Sequence, residues 1–341
     1  MMEPELLIRT EGRAGRLTLN RPKALNALTH RICLQTTEAL ERWRDDPAVA
    51  LVILDGAGER AFCSGGDIAQ VTAAGKAGDY AMGRDFWRDE YRMNLLLSTY
   101  PKPIVSFLHG FVMGGGVGYG CHIPHRVVGE STQMAMPECG IGMIPDVGGT
   151  YLLGRAPGHL GLYLALTAAR MGPGDAIHAG FANRFLPEAE WDATKAALCE
   201  TGDLDALPVR YTPESPMAAE QSRIDRLFGA ATLPQIIAAL EEDDSPLAQS
   251  ALKAIRRNSP LSMACTLAML RPAPLTLEEA LKQEYRWTWR SMEHGDFIEG
   301  VRAQILDKDR NPTWKHPAPG AVTEAEVAAM LAPLGTDELT F

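Results

Sequence analysis

The sequence predicts an α/β core over residues 1–201 followed by an α-helical region over residues 202–341. Three observations carry this expectation. Short apolar runs of strand length alternate with amphipathic helical stretches, and a glycine cluster follows each of the main runs. Beyond about residue 200 the strand-like runs give way to helical segments divided by prolines and acidic turns.

Leu6-Leu7-Ile8 and Arg16-Leu17-Thr18-Leu19 flank Glu11-Gly12-Arg13-Ala14-Gly15, which reads as two strands joined by a glycine-containing turn. Asn20-Arg21-Pro22 ends the pair. Ile32, Leu40 and Trp43, with Thr36 and Ala39 between, recur near helical spacing and predict an amphipathic helix from Thr29 to Asp45. Val49 to Leu54 and Pro103 to Leu108 are continuous apolar runs, short enough for buried strands. After the first comes Ser64-Gly65-Gly66-Asp67; after the second come Gly110 and Gly114-Gly115-Gly116. Backbone of that freedom at strand-to-helix junctions turns amides outward, where ligands sit. Gly202 to Ser215 is the expected boundary. The helices expected after it are Leu233 to Glu242, Leu247 to Arg257, Leu261 to Leu270, Leu277 to Met292 and Phe297 to Asp307.

A chain of 341 residues with 46% hydrophobic content can build a large core. Its 43 acidic and 33 basic residues leave a net charge of -10, which repels phosphate polyanions and argues against nucleic acid as a partner. The six cysteines lie far apart with no CxxC pair, fitting neither a zinc knuckle nor a small disulfide framework, so a reducing compartment is expected. Met1 to Gly15 is polar with three glutamates, and no stretch approaches the length of a transmembrane helix. The expectation is a cytoplasmic enzyme with no membrane partner; a homo-oligomer stays open.

Arg60 to Ile68 and His109 to Gly118 carry glycine clusters, which read either as tight turns, common after strands in any α/β protein, or as backbone whose N–H groups converge on a developing oxyanion. Glu138 and Asp146 are eight residues apart across two glycines and Pro145, so a loop rather than a helix joins them and both carboxylates can turn toward one cavity. The competing readings are an N-cap for the segment after Asp146 and, for Glu138, neutralisation of a neighbouring Arg126. His109 and His122 lack metal-ligand spacing, Ser64 and Ser106 lack a nucleophile elbow, Cys63 reads as a small buried residue, and Tyr285, Trp287 and Trp289 read as packing.

LNRPKALNAL (Leu19 to Leu28), AFCSGGDI (Ala61 to Ile68), HGFVMGGGVG (His109 to Gly118) and MPECGIGMIPDVGGTYLL (Met136 to Leu153) stand in the order of the crotonase superfamily signatures, and the chain resembles that superfamily. The resemblance implies a spiral of ββα units, an acyl-CoA substrate, and a thioester carbonyl polarised by the amides of Gly66 and Gly115. It also implies that Lys23-Ala24-Leu25 lies along the CoA and that Glu138 faces the thioester. Enoyl-CoA hydratases use a second glutamate that falls here on Gly118, which offers no acid or base, whereas Asp146 stands where hydratases usually have glycine. IPDVGG, the Phe86 to Asn94 segment bearing Glu90, and Asp296 to Trp314 resemble 3-hydroxyisobutyryl-CoA hydrolases. Glu90 would then lie near the acyl end of the substrate, although by pattern alone it is equally a solvated helix face.

What this implies is thioester hydrolysis without a metal or redox cofactor, coenzyme A being part of the substrate, in valine catabolism. The alternatives are an enoyl-CoA hydratase or isomerase using Glu138 alone, and a catalytically silent acyl-CoA- or RNA-binding relative. Val322 to Phe341 carries no assignment.

Overall fold

The computed structural model describes residues 3–272 and 276–341. Residues 1 and 2 of the expected N-terminal segment and 273–275 of the expected helical region lie outside the described residues. The chain forms two compact units that interleave along the sequence. The first comprises Met1–Gly66, Asp89–Met134 and Met171–Ala218, and the second Asp67–Arg88, Ala135–Arg170 and Ala219–Phe341. The position 201/202 falls inside the last segment of the first unit.

In the first unit, β1 (Leu6–Glu11) and β2 (Ala14–Leu19) form an antiparallel hairpin whose last pair, Glu11 and Ala14, closes over Gly12 and Arg13. Gly12 takes φ +55°, the conformation a two-residue hairpin turn requires. From β2 the sheet continues in parallel through β3 (Leu51–Gly56), β5 (Ile104–Leu108), β7 (His125–Val128) and β9 (Arg184–Phe185). Parallel neighbours need crossovers, and helix His30–Arg44 supplies the one between β2 and β3. Thr29 caps that helix, its side chain accepting from Ile32 N–H at 3.2 Å. Strand β3 begins at Leu51 rather than Val49, because Val49 N–H is spent on Asp46 O and Ala50 N–H on Arg13 O before the ladder starts. Leu51 to Leu54 and Ile104 to Leu108 are fully buried, as strands covered on both faces must be. Ile53, Val105, Phe107 and Val127 pack on Trp191 and Leu198 of helix Trp191–Thr201. Each such side chain contributes about 1.5–3 kcal/mol of burial. Strands β4 (Ala61–Cys63), β6 (Phe111–Met113) and β8 (Gln133–Ala135) make a second, three-stranded sheet.

Several helices of the second unit start on hydroxyl caps. Thr232, Ser245, Ser259, Thr276 and Thr323 each accept an amide of the first turn, and Gln235, Glu279 and Glu326 complete reciprocal capping boxes. The expected helix over residues 297–307 divides: Phe297–Val301 is α-helical, and Arg302–Leu306 widens to a π-turn. At the junction Arg302 binds Glu299 on one side and Asp307 and Asp309 on the other. Among the described residues no helix is long and apolar enough to cross a membrane.

Candidate active site

In the first unit, β4 and β6 run parallel and each ends in a glycine turn. Gly65 takes φ +115° and Gly114 φ +48° with ψ -117°, conformations that side chains rarely adopt. These turns bring Gly66 beside Gly115: a Cβ built on Gly115 would lie 3.1 Å from the Gly66 amide nitrogen. Gly115 opens helix Gly115–Cys121, where an amide has no intrahelical acceptor. The segment around Leu25 braces the arrangement. Ser64 N–H donates to Leu25 O at 3.0 Å and Leu28 N–H to Gly65 O at 2.9 Å. Asn26, at φ +56°, donates its side-chain amide to Ala57 O and Ala61 O while accepting from Arg21 N–H. Lys23 and Ala24 sit exposed on the single turn Pro22–Ala24.

Glu90 completes this half. It lies on helix Ala81–Ser98, is only 3% exposed, and would stand 2.8 Å through Oε1 from a Cβ on Gly115. Its neighbour Asp89 turns the other way to His30 Nε2 at 2.8 Å. The solvated-face reading of Glu90 therefore gives way to a carboxylate buried at the glycine turns. Asn94, one helical turn on, is fully buried, and neither atom of its amide has a hydrogen-bond partner among the described residues.

In the second unit, Glu138 opens a tight turn, Glu138–Ile141, that closes with Met143 N–H donating to Glu138 O at 3.0 Å. The carboxy-terminal segment holds it from behind. Cys139 O accepts from Ser259 N–H at 2.9 Å, Ser259 Oγ donates to Asp296 Oδ2 at 2.6 Å, and Asp296 Oδ1 accepts from Lys315 N–H at 2.8 Å. Gly142 and Gly300 are glycine for want of room: an added Cβ would run into the Asp296 and Ile141 backbones respectively. Glu138 is buried and its Oε2 has no partner among the described residues. Burial first, then the charge of Asp146, and further the charge of Glu284, push its carboxyl well above the usual range.

Asp146, 5% exposed, precedes two left-handed residues, Val147 at φ +55° and Gly148 at φ +79°. The expectation that it could cap the following helix is corrected here. The N-cap of Gly149–Leu153 is Gly148, and the side chain that receives the helix-start amides is Glu284, from helix Leu277–His294. Glu284 escaped the sequence reading because a glutamate on a charged helix looks solvated. The available signal was its position on the stripe Leu277, Leu281, Glu284, Thr288, Ser291, all buried.

The family model for enoyl-CoA hydratase/isomerase matches residues 14–331. The chain belongs to the enoyl-CoA hydratase/isomerase family. The mitochondrial 3-hydroxyisobutyryl-CoA hydrolase of Gallus gallus is 40% identical over 349 residues, covering 98% of this chain and 90% of the relative. A solved structure described as an enoyl-CoA hydratase from Rhodobacter sphaeroides 2.4.1 is 56% identical with TM-score 0.97, covering 99% of this chain and 100% of that one. Another, a carnitinyl-CoA dehydratase from Mycobacterium thermoresistibile, is 46% identical with TM-score 0.95, covering 99% of both chains. This chain is thus an enzyme of the crotonase family and carries its α/β fold.

Several residues of this crotonase have structural work only. Ser106 Oγ donates to Gly120 O at 2.8 Å, and burial pushes the Cys63 thiol up to about 12, which disfavours its thiolate. All six cysteines are buried thiols. His109 packs edge-on against Trp191, and burial lowers its proton affinity. Among the described residues no group of three His, Cys, Asp or Glu is placed to hold a metal. Trp287 is fully buried, and Arg84 stacks over Trp289 at 4.0 Å, so the aromatic stretch packs. Gly118 is buried within helix Gly115–Cys121 and brings no carboxylate there.

Proposed function

We propose that this crotonase hydrolyses an acyl-CoA thioester, with 3-hydroxyisobutyryl-CoA as substrate and 3-hydroxyisobutyrate and CoA as products, in valine catabolism. The observation that carries the reading is the carboxylate set: Glu138 and Asp146 are buried and electrostatically coupled, while the hydratase position holds Gly118. The 40% identity to proteins named as 3-hydroxyisobutyryl-CoA hydrolases supports it.

In this scheme the thioester oxygen accepts from the N–H groups of Gly66 and Gly115, and each amide gains strength as the oxygen becomes anionic. Loss of one such donor costs about 10²- to 10³-fold in turnover. Glu138 either takes a proton from water as the water oxygen bonds to the acyl carbon, or attacks that carbon itself to give a mixed anhydride that water then opens. By either route the C–S bond breaks and the thiolate takes up a proton. Asp146 orients the 3-hydroxyacyl group and helps to deliver that proton. The raised proton affinity of Glu138 fits a carboxylate pair that shares a proton at neutral pH. Glu90 lies at the acyl end, Lys23, Ala24 and Leu25 run along the CoA, and no metal or redox cofactor enters.

Enoyl-CoA hydration with Glu138 alone is the second reading, favoured by the description of the 56% identical structure. Thiol release from 3-hydroxyisobutyryl-CoA, measured beside hydration of crotonyl-CoA, separates the two. Fast thiol release with little hydration is expected. Hydration without thiol release refutes the hydrolase reading.

A further inference from the structure

Glu284 takes no part in the scheme above, yet it is a glutamate with no exposed surface beside a proposed site residue. Among the described residues no lysine or arginine pairs with it. Instead three donors converge on its carboxyl oxygens: Gly148 N–H on Oε2 at 2.7 Å, and Thr150 N–H at 2.9 Å and Thr150 Oγ at 2.5 Å on Oε1. These donors flank a turn that the backbone does not favour by itself, since Val147, a β-branched residue, takes φ +55° and Gly148 takes φ +79°. Asp146 is the residue immediately before that turn. The left-handed pair follows it directly, and that pair is anchored on its far side by Glu284. Glu284 also interacts electrostatically with Asp146, whose charge raises the Glu284 carboxyl after burial has done so.

We infer that Glu284 is a positioning residue: its buried carboxyl group holds the left-handed Val147–Gly148 turn and through it aims the Asp146 carboxyl. The inference rests on the role proposed for Asp146. A helix-start acceptor could have been any side chain of the turn itself; here it comes from a residue 136 positions away, so Asp146 is aimed from another element of the same unit.

Glu284→Gln tests it. The substituted amide keeps one oxygen for the two Thr150 donors but presents an NH₂ group to Gly148 N–H, leaving that donor unsatisfied in a buried site. Hydrogen exchange of a peptide spanning residues 145–153 should quicken by about tenfold, with exchange in β3 unchanged. Unchanged exchange at residues 145–153 overturns the clamp. The second readout is discrimination between 3-hydroxyisobutyryl-CoA and isobutyryl-CoA. Glu284→Gln should lower kcat/KM for the hydroxylated substrate by about tenfold more than for the plain one, and adding it to Asp146→Asn should cost little further, because both act through one carboxylate. Independent, multiplying losses refute positioning through Asp146. An Asp146→Asn enzyme with full activity and discrimination refutes the Asp146 role instead, and the exchange measurement then still decides whether Glu284 clamps the turn.

Discussion

Gly115→Ala is the sharpest probe of the glycine turns. The added methyl would stand 3.1 Å from the Gly66 nitrogen and 2.8 Å from Glu90 Oε1, both closer than ordinary carbon contacts. It would therefore crowd the Gly65–Gly66 peptide, beside which the proposed oxyanion forms. The backbone itself has no objection, since Gly115 is not in the left-handed region and alanine is favoured over glycine in a helix by about 1 kcal/mol. Overpacking costs about 1–3 kcal/mol and the helix preference offsets part of it, so net destabilisation should stay near 0–2 kcal/mol. Removing one oxyanion donor costs about 2.7–4 kcal/mol in the transition state, or about 10²- to 10³-fold in turnover. The assay is thiol release at saturating substrate, paired with a urea titration of the same preparation. A folded Gly115→Ala enzyme with turnover within about threefold of the parent would refute the placement of the oxyanion at these amides.

Glu138→Gln keeps shape and removes the reactive carboxylate, so thiol release should fall by about 10²- to 10⁴-fold while calorimetry still detects acyl-CoA binding; parallel loss of both would point to a binding role only. Ser259→Ala removes the donor to Asp296 Oδ2 behind the Glu138 turn and should cost about 1–3 kcal/mol in chemical denaturation, with unchanged stability refuting the buttress. The Glu284 carboxyl, raised to about 8 by burial and then by Asp146, is neutral in the fold and charged in the unfolded chain between its ordinary value of 4.5 and about 8. Its contribution is full below pH 4.5 and is lost as pH rises through that window, at up to about 1.4 kcal/mol per pH unit. Stability of Glu284→Gln should accordingly decline less between pH 5 and 8 than that of the parent, and superimposable pH profiles would rule this out.

The strands were legible because Leu51 to Leu54 and Ile104 to Leu108 must be apolar throughout when covered on both faces. Helix starts at Leu233 and Leu277 were legible because the apolar helical segments there are set off by prolines and acidic turns. Glu138, Asp146, Glu90 and the glycines came from ordered motifs, and their local conformations follow from residue type, as at Gly65 and Gly114. Glu284 did not emerge, since its partners lie 134 and 136 residues away and a lone glutamate in a helix says nothing of them. The interleaving of the units was hidden for the same reason. Apolar patterning reports that Ala135–Arg170 must be covered but not that Ala219–Phe341 shares its unit.

The tie from Cys139 through Ser259 and Asp296 to Lys315 has a consequence for the life of the chain on the ribosome. At about 5–20 residues per second, roughly 10 to 35 s pass between synthesis of Glu138 and synthesis of Lys315, the last residue of that tie. Throughout that interval the turn bearing Glu138 lacks its backing, whatever has already folded ahead of it. A nascent chain of this enzyme thus carries its sheet and glycine turns long before it carries a braced Glu138, the proposed acid/base residue, and activity is expected only once the carboxy-terminal signature has emerged.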